Sequence, residues 1–409
     1  MSSITNAKLT PPLHPGSQLH PDGKGRGSTM QPSPSLPLDI LRVVMARCNH
    51  ETLVRCAASS RLLCRCMLED PSFLRHADMR GFAPSLFLGL FNSPQRNGTC
   101  FIEAPEPAII PRDPIGAFLL DNARLLNSFN EPGTCSDGLV VLQRGRRMLG
   151  KTIELCVCNP LTRHHCFLPA PEVYDQSLAL LVGENASKTS PFQMLAVDLS
   201  LTAPHAIFQI FSSLQPFPVI APGSAWGPVH RVAIPRVNLL SLEPMDTPVV
   251  INRVAHWLSR SSFAAYVVLT LHIDAGYTKQ IKGPRSWVCS DNKPRSVVLA
   301  STADRRLSLV KLENYLVSMW VLSKYNPNIW ERIVAVDVRP VILASPYWIR
   351  LDWVGGKSGT VIMCMAGPGR VVLNLETKEV APMPDAEWPG YLYEMDLPSL
   401  IKALASTSA

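Results

Sequence analysis

The 409-residue chain has no run of five or more lysines and arginines, and its longest apolar stretch, near 263–271, falls well short of the roughly 18 residues that a membrane span needs. The first lack leaves a formal charge of +7 thinly spread, so no nucleic-acid partner is expected. The second implies no membrane partner. No apolar signal-peptide region follows Met1, which predicts a protein of the cytoplasm or nucleus whose 11 cysteines stay reduced and pack as small hydrophobes. The chain also lacks G-x-S-x-G, H-E-x-x-H, Walker A and G-x-G-x-x-G motifs set between a strand and a helix. Gly23-x-Gly25-x-Gly27 lies in a proline-rich leader and is no phosphate loop. These absences predict a chain that is not an enzyme, with no catalytic residue, no cofactor and no metal.

What is present is enough chain for two to three domains, with 46% hydrophobic and 17% charged residues, the composition of a globular protein. Residues 1–35 carry proline at 11, 12, 15, 21, 32 and 34, glycine at 16, 23, 25 and 27, and almost no apolar periodicity, which predicts a disordered leader. The stretch 36–80 has helical periodicity. Pro37 suits a first helical turn, and Ile40, Leu41, Val44 and Met45 then share one face. Asn49 is an expected N-cap for a second helix bearing Leu53, Cys56 and Ala57. A third carries Leu62, Leu63, Cys66 and Met67 and stops at Asp70-Pro71. A block this small buries little by itself, so its apolar residues predict a neighbour.

The run Leu36-Pro37-x-Asp39-Ile40-Leu41, then Leu53-x-Arg55, then Asp70-Pro71-x-Phe73-x-x-His76 resembles an F-box, the helical segment that docks a Skp-type adaptor in cullin-based ubiquitin ligases. The resemblance covers about a tenth of the chain. It implies a three-helix F-box over 36–80, with Leu36, Pro37, Ile40, Leu41, Val44, Leu53, Arg55 and Leu62 as adaptor-binding residues. Where the family usually has Cys-Lys-x-Trp, this chain has Ser60, Arg61, Leu62 and Leu63.

From Asp137 onward the pattern is of short apolar strands between turn residues, the signature of a sandwich, barrel or propeller. Expected strands cover 139–142, 153–157, 194–199, 206–211, 249–258, 265–273, 296–300 and 317–322, and a hairpin joins 360–365 to 371–375. The prolines at 105, 107, 111 and 114 predict a loop. Asn159, Thr162 and Pro169 recur at the same spacing as Asn374, Thr377 and Pro384, 215 residues later, a distance that holds about five repeats of propeller-blade length. Trp257, Trp320 and Trp330 supply aromatic packing inside strands. These features, with the C-terminal LYEMDLPSLI, resemble the F-box-associated β-domains of plant F-box proteins. A kelch-type glycine doublet occurs once, at Gly355-Gly356. The expected architecture is α+β: a small helical F-box, a large all-β domain over 81–401 that is a kelch-like β-propeller, and a flexible tail at 402–409.

Cys156, Cys158, His164, His165 and Cys166 combine zinc-ligand types, but Cys-x-Cys on one strand lacks the turn spacing of a tetrahedral site, and a hairpin with incidental thiols is the preferred reading. Cys48, Cys56, Cys64 and Cys66 fall at core positions. Trp226, Trp287 and Trp388 sit in loop-like contexts, where core packing outweighs a role as contact anchors. The resemblances imply a substrate-recognition adaptor of a Skp/cullin/F-box ubiquitin ligase. The β-domain would hold an unidentified target protein through residues the sequence does not name. The alternative is a propeller interaction scaffold without ubiquitin-ligase association.

Overall fold

The computed structural model describes residues 37–92, 99–105, 113–129, 131–144, 153–173, 176–182, 192–199, 204–213, 225–235, 239–242, 247–261, 265–284, 287, 295–340, 342, 349–365, 369–384 and 390–407. The chain divides into two compact units, 1–43 and 44–409. Helix α1 (Leu38–Met45) runs across that boundary, and its first turn is anchored by the Pro37 carbonyl, which accepts from the backbone of Ile40 and Leu41.

The second unit is mostly β, and its strands form six antiparallel sheets arranged as the blades of a propeller. Blade I holds β3 (Glu131–Ser136), β4 (Leu139–Arg144), β5 (Glu154–Asn159) and β6 (His164–Leu168). Blade II holds β7 (Gln176–Leu181), β8 (Gln193–Asp198), β9 (His205–Ser212) and β10 (His230–Ala233). Blade III holds β11 (Leu239–Leu242), β12 (Val249–Ile251), β13 (Val254–Ser261), β14 (Tyr266–His272) and β15 (Tyr277–Lys282). Blade IV holds β16 (Val297–Ser301), β17 (Leu307–Glu313), β18 (Leu316–Leu322) and β19 (Trp330–Asp337). Blade V holds β20 (Arg350–Val354), β21 (Thr360–Cys364), β22 (Arg370–Asn374) and β23 (Val380–Met383). Blade VI joins the two ends of the unit: β24 (Tyr391–Glu394) pairs with β1 (Phe87–Asn92), which pairs with β2 (Cys100–Glu103). Strands β3, β7, β12, β16, β20 and β24 adjoin in that order and close an inner ring.

Packing explains the unbroken apolar runs. Each blade has neighbours on both faces, so alternate residues of one strand enter different apolar layers and neither set faces water. On β4, Leu139 and Val141 join the layer shared with blade II, whereas Val140 and Leu142 join the layer shared with blade VI and the helices. Tryptophans tie blades II, III and IV each to the one before it. The Trp226 indole donates to the Pro169 carbonyl, Trp257 to Ser177 Oγ and Trp330 to the Lys282 carbonyl. Trp287 is buried, edge-on to Tyr266 and Trp320. Trp388 lies outside the described residues.

The recurring Asn-x-x-Thr triplets occupy equivalent places, the turns from the third to the fourth strand of blades I and V. Asn159 Oδ1 accepts from Thr162 N at 3.2 Å and Asn374 Oδ1 from Thr377 N at 3.1 Å. The next residues, Arg163 and Lys378, take left-handed backbone. The two turns are four blades apart rather than five, because the connections make each repeat longer than the strands require. The expected strand at 249–258 is in fact a hairpin. Asn252 and Arg253 both have positive φ, as a two-residue type I′ turn requires, and they reverse the chain between β12 and β13.

The helical part also differs from expectation. Before the propeller stand four helices: α1, α2 (His50–Ser59), α3 (Arg61–Glu69) and α4 (Pro71–Asp78). Asp70 ends α3 and N-caps α4, with Pro71 in its first turn. The last of the loop-marking prolines, Pro114, lies in the first turn of α5 (Asp113–Asp121), and α6 (Ala123–Ser128) follows it. Residues 402–407 of the expected flexible tail lie in α7 (Leu397–Thr407), which packs against α2, α3 and α4. Leu400, Ile401 and Ala403 of α7 are buried with Leu53, Val54, Met67 and Leu74. The neighbour that the small helical block needs is therefore supplied largely by the C-terminal end of the same chain.

Candidate functional site

The ring of inner strands surrounds an axial channel containing a cavity of about 220 Å³. At one mouth, the turns after inner strands present Asp137, Arg253, Arg305 and Lys357, beside Glu394 at the end of β24. Asp137 and Gly138 both have positive φ and form the tight turn between β3 and β4, which holds the Asp137 side chain at the rim. Gly355 and Gly356 follow β20, where a Cβ would collide with the side chains of Glu394 and Ser301. The doublet thus lets the chain pass close to a buried carboxylate.

Helix α4 and the start of α7 bring two more carboxylates to this mouth. Asp78 Oδ2 lies 2.5 Å from Lys357 Nζ, and Asp78 Oδ1 accepts from Leu397 N at 3.1 Å. Asp396 caps α7 by accepting from Ser399 N at 2.8 Å. Glu394 accepts from Ser358 N, Ser358 Oγ and Lys357 N at 2.9–3.3 Å. Burial, then the neighbouring charge of Asp396, pushes Asp137 up to about 7, against the pull of Lys357. Burial and Asp78 raise Asp396. Burial also raises Glu394, despite its donors. Burial works against the Lys357 ammonium, yet Asp78, Asp137 and Asp396 together hold its pKa above the ordinary value. His50 on α2 is pulled low by burial, with Asp78 opposing and Arg80 assisting. The group keeps part of its acidity protonated near neutral pH, because carboxylates sharing one ammonium repel each other once water is excluded.

Another part of the channel wall is built differently. Trp353 and Tyr391 lie with ring centres 5.1 Å apart, and the Arg295 guanidinium sits 5.8 Å from the Trp353 ring centre. The Trp353 indole N–H is buried and has no acceptor among the described residues.

The residues singled out from the sequence are scattered. Leu36 lies outside the described residues. Pro37, Ile40 and Val44 are exposed and Leu41 is half-buried. Leu62 is 55% exposed, and Arg55 is exposed and paired with Glu51 one turn earlier. Leu53 has no exposed surface. It is a core residue against α7, which corrects its assignment as an adaptor contact. Cys156 and Cys158 are buried with their sulfurs 3.7 Å apart, whereas Cys166 enters the apolar layer on the other face of the sheet and His164 is exposed, so these five residues do not converge. Among the described residues, no three His, Cys, Asp or Glu side chains are placed to hold a metal ion. Sequence reasoning missed Asp78, Asp137, Lys357, Glu394 and Asp396. The Asp-Gly turn and the glycine doublet marked two of the places, but nothing local joins five positions drawn from four separate parts of the chain.

Fold and site together define a closed six-bladed β-propeller with a charged channel mouth, flanked by helices from both ends of its chain. The chain belongs to the family described as Domain of unknown function (DUF7595), which matches residues 107–406. That match begins after β2, so it leaves out α1 to α4. No curated protein matches the chain. Similar solved structures include two proteins provisionally assigned as 6-phosphogluconolactonases. The one from Bacteroides fragilis has 12% identity and a TM-score of 0.35, and the one from Bacteroides uniformis 11% and 0.36. Each alignment covers 62% of this chain and 69% of the other. No helix among the described residues is long and apolar enough to cross a membrane.

Proposed function

We propose that the chain is a non-catalytic recognition protein whose propeller holds a target protein and whose N-terminal helices bind a Skp-type adaptor, and through it a cullin ubiquitin ligase. Such an adaptor works by proximity. It raises the local concentration of target lysines at a thioester carried elsewhere and needs no active-site residue of its own. This reading belongs to the cytoplasm or nucleus. The observation that carries it is the exposure of large apolar side chains on the helices that resemble a kelch-type plant F-box protein. Ile40 is 48% exposed, Val43 57% and Val44 53%, and these three share a face of α1. With Leu62 and Met79 they make five of the thirteen exposed large apolar residues among the described ones, in about a tenth of the chain.

The test uses the full chain, because α7 supplies part of the core of α2 to α4. A purified Skp-type adaptor is expected to be retained, and Val44→Asp with Leu62→Asp should weaken retention at least about tenfold, as the loss of two buried apolar contacts implies. Failure of the folded wild-type chain to retain the adaptor overturns the proposal. It would then favour a propeller scaffold without ubiquitin-ligase association, a reading supported by the packing of α7 on the helices and by Ser60 to Leu63 in place of Cys-Lys-x-Trp.

A further inference from the structure

The charged group at the channel mouth stands where the helices meet the propeller, and neither the adaptor reading nor the packing of the blades accounts for its composition. Asp78, the last residue of α4, is only 4% exposed and serves two elements at once. One of its oxygens meets the Lys357 ammonium on the turn after β20, and the other accepts from Leu397 N at the start of α7. Asp396, also buried, caps α7, and Asp137 reaches the same place from the turn between β3 and β4. Three carboxylates thus crowd one ammonium. Arg305 adds a second cation facing Asp137, Glu394 adds a fourth carboxylate held by Ser358, and Arg253, the other basic group of this mouth, is engaged by Asp274. On the helical side, His50 of α2 and Arg80 after α4 face Asp78, and the Arg80 guanidinium donates to the Cys48 carbonyl. With all four carboxylates ionised, the group carries more negative than positive charge where water is largely excluded, so a proton kept among them favours the packed arrangement.

We infer that this group is a proton-operated joint: a proton shared among Asp137, Asp396 and Glu394 keeps α4 and α7 seated on the turn of blade V, and its loss as pH rises loosens the helical block while the blades stay folded. The inference does not rest on the adaptor reading. Leu62 and Met79 belong to the same block, so the joint governs how firmly their exposed side chains are held to the propeller.

The direction follows from proton linkage. The seated form has the full advantage of the proton below 3.8 and loses it as pH rises towards 7, where Asp137 ionises. Burial holds His50 below its ordinary value of 6.5, so between pH 6 and 8 the carboxyls dominate the response.

Hydrogen exchange of the full chain, read by mass spectrometry at pH 6 and pH 8 and corrected for the intrinsic pH dependence of amide exchange, supplies the test. Protection at 74–80 and 398–404 should fall about three- to tenfold between the two, tenfold being the ceiling for one proton held at about 7. Residues 255–258 and 267–271, inside blade III, should change by less than about twofold, since they report on wider opening. This comparison needs no variant. Asp137→Asn, on a turn that belongs to neither helix, should reduce the fall in α4 and α7 by about half or more. Unchanged protection in both helices, an equal fall in blade III, or a folded variant that keeps the full pH dependence would overturn the inference.

Discussion

Replacing Asp137 by asparagine should stabilise the protein, and the gain should depend on pH in a defined direction. Burial and the charge of Asp396 hold the Asp137 carboxyl at about 7 against an ordinary value of 3.8. The folded chain therefore binds this proton more tightly than the unfolded chain does. Stability contributed by the group is complete below 3.8 and is lost as pH rises towards 7, so the ionised side chain is a net liability above that. A displacement of about three pH units corresponds to a ceiling of about 4 kcal/mol. Asp137 is only half-buried, and removing its charge also relieves Asp396 and deprives Lys357 of a partner. A realistic gain at pH 8 is about 1–2 kcal/mol, or about 1 to 3 °C in Tm for a chain this long. Asparagine is the fitting replacement, since it matches the shape of aspartate and tolerates the positive φ of 48° that the turn imposes. Thermal melts of both proteins from pH 4.5 to 8.5 test the argument. The gap between the two melting temperatures should be smallest at the acid end, widen steadily as pH rises from 4.5 towards 7, and level off above that. A constant offset, or a variant that is less stable at pH 8, would refute it.

Lys357→Met should destabilise by about 3–5 kcal/mol near neutral pH, because it leaves the Asp78 carboxylate buried without its cation; chemical denaturation measures this. Leu53→Ala should cost about 2–5 kcal/mol, whereas Leu62→Ala on the exposed face should stay within about 0.5 kcal/mol, a contrast that separates core from docking surface in the same assay. Deleting Leu397–Thr407 should uncover the inner faces of α2 to α4, and limited trypsin digestion read by mass spectrometry should then cut first at Arg55, Arg61 or Arg65. Trp257→Phe removes the bond to Ser177 between blades II and III and should cost about 1 kcal/mol with no change in fold.

The propeller is legible in the chain because strands buried on both faces leave short, nearly continuous apolar runs, and those at 139–142, 206–211, 265–273 and 317–322 lie on β4, β9, β14 and β18. The repeated Asn-x-x-Thr turn is legible for a local reason: one side-chain oxygen caps the same reversal twice. The elements that escaped have equally physical causes. Asn252-Arg253 makes a type I′ turn without the glycine that usually advertises one. Prolines at 111 and 114 mask α5, although proline is well tolerated where a helix begins. Helix α7 carries a proline and three hydroxyl residues, which disguise a face that only the other helices reveal as buried. The site was least legible of all. Its charged groups come from α4, from turns after β3 and β20, and from the stretch joining β24 to α7, so their proximity is a property of ring closure and of no segment.

That closure imposes an order on assembly. Blade VI needs Phe87–Asn92 beside Tyr391–Glu394, partners about 300 residues apart in the chain, which places this blade among the slowest pairings to form. While a ribosome is still making blades II to V, the greasy undersides of α2 to α4 have no α7 to lie on, and β1 has no inner neighbour. A nascent or prematurely ended chain thus displays surface that the finished one hides, and its last helix acts as a seal on the completed ring.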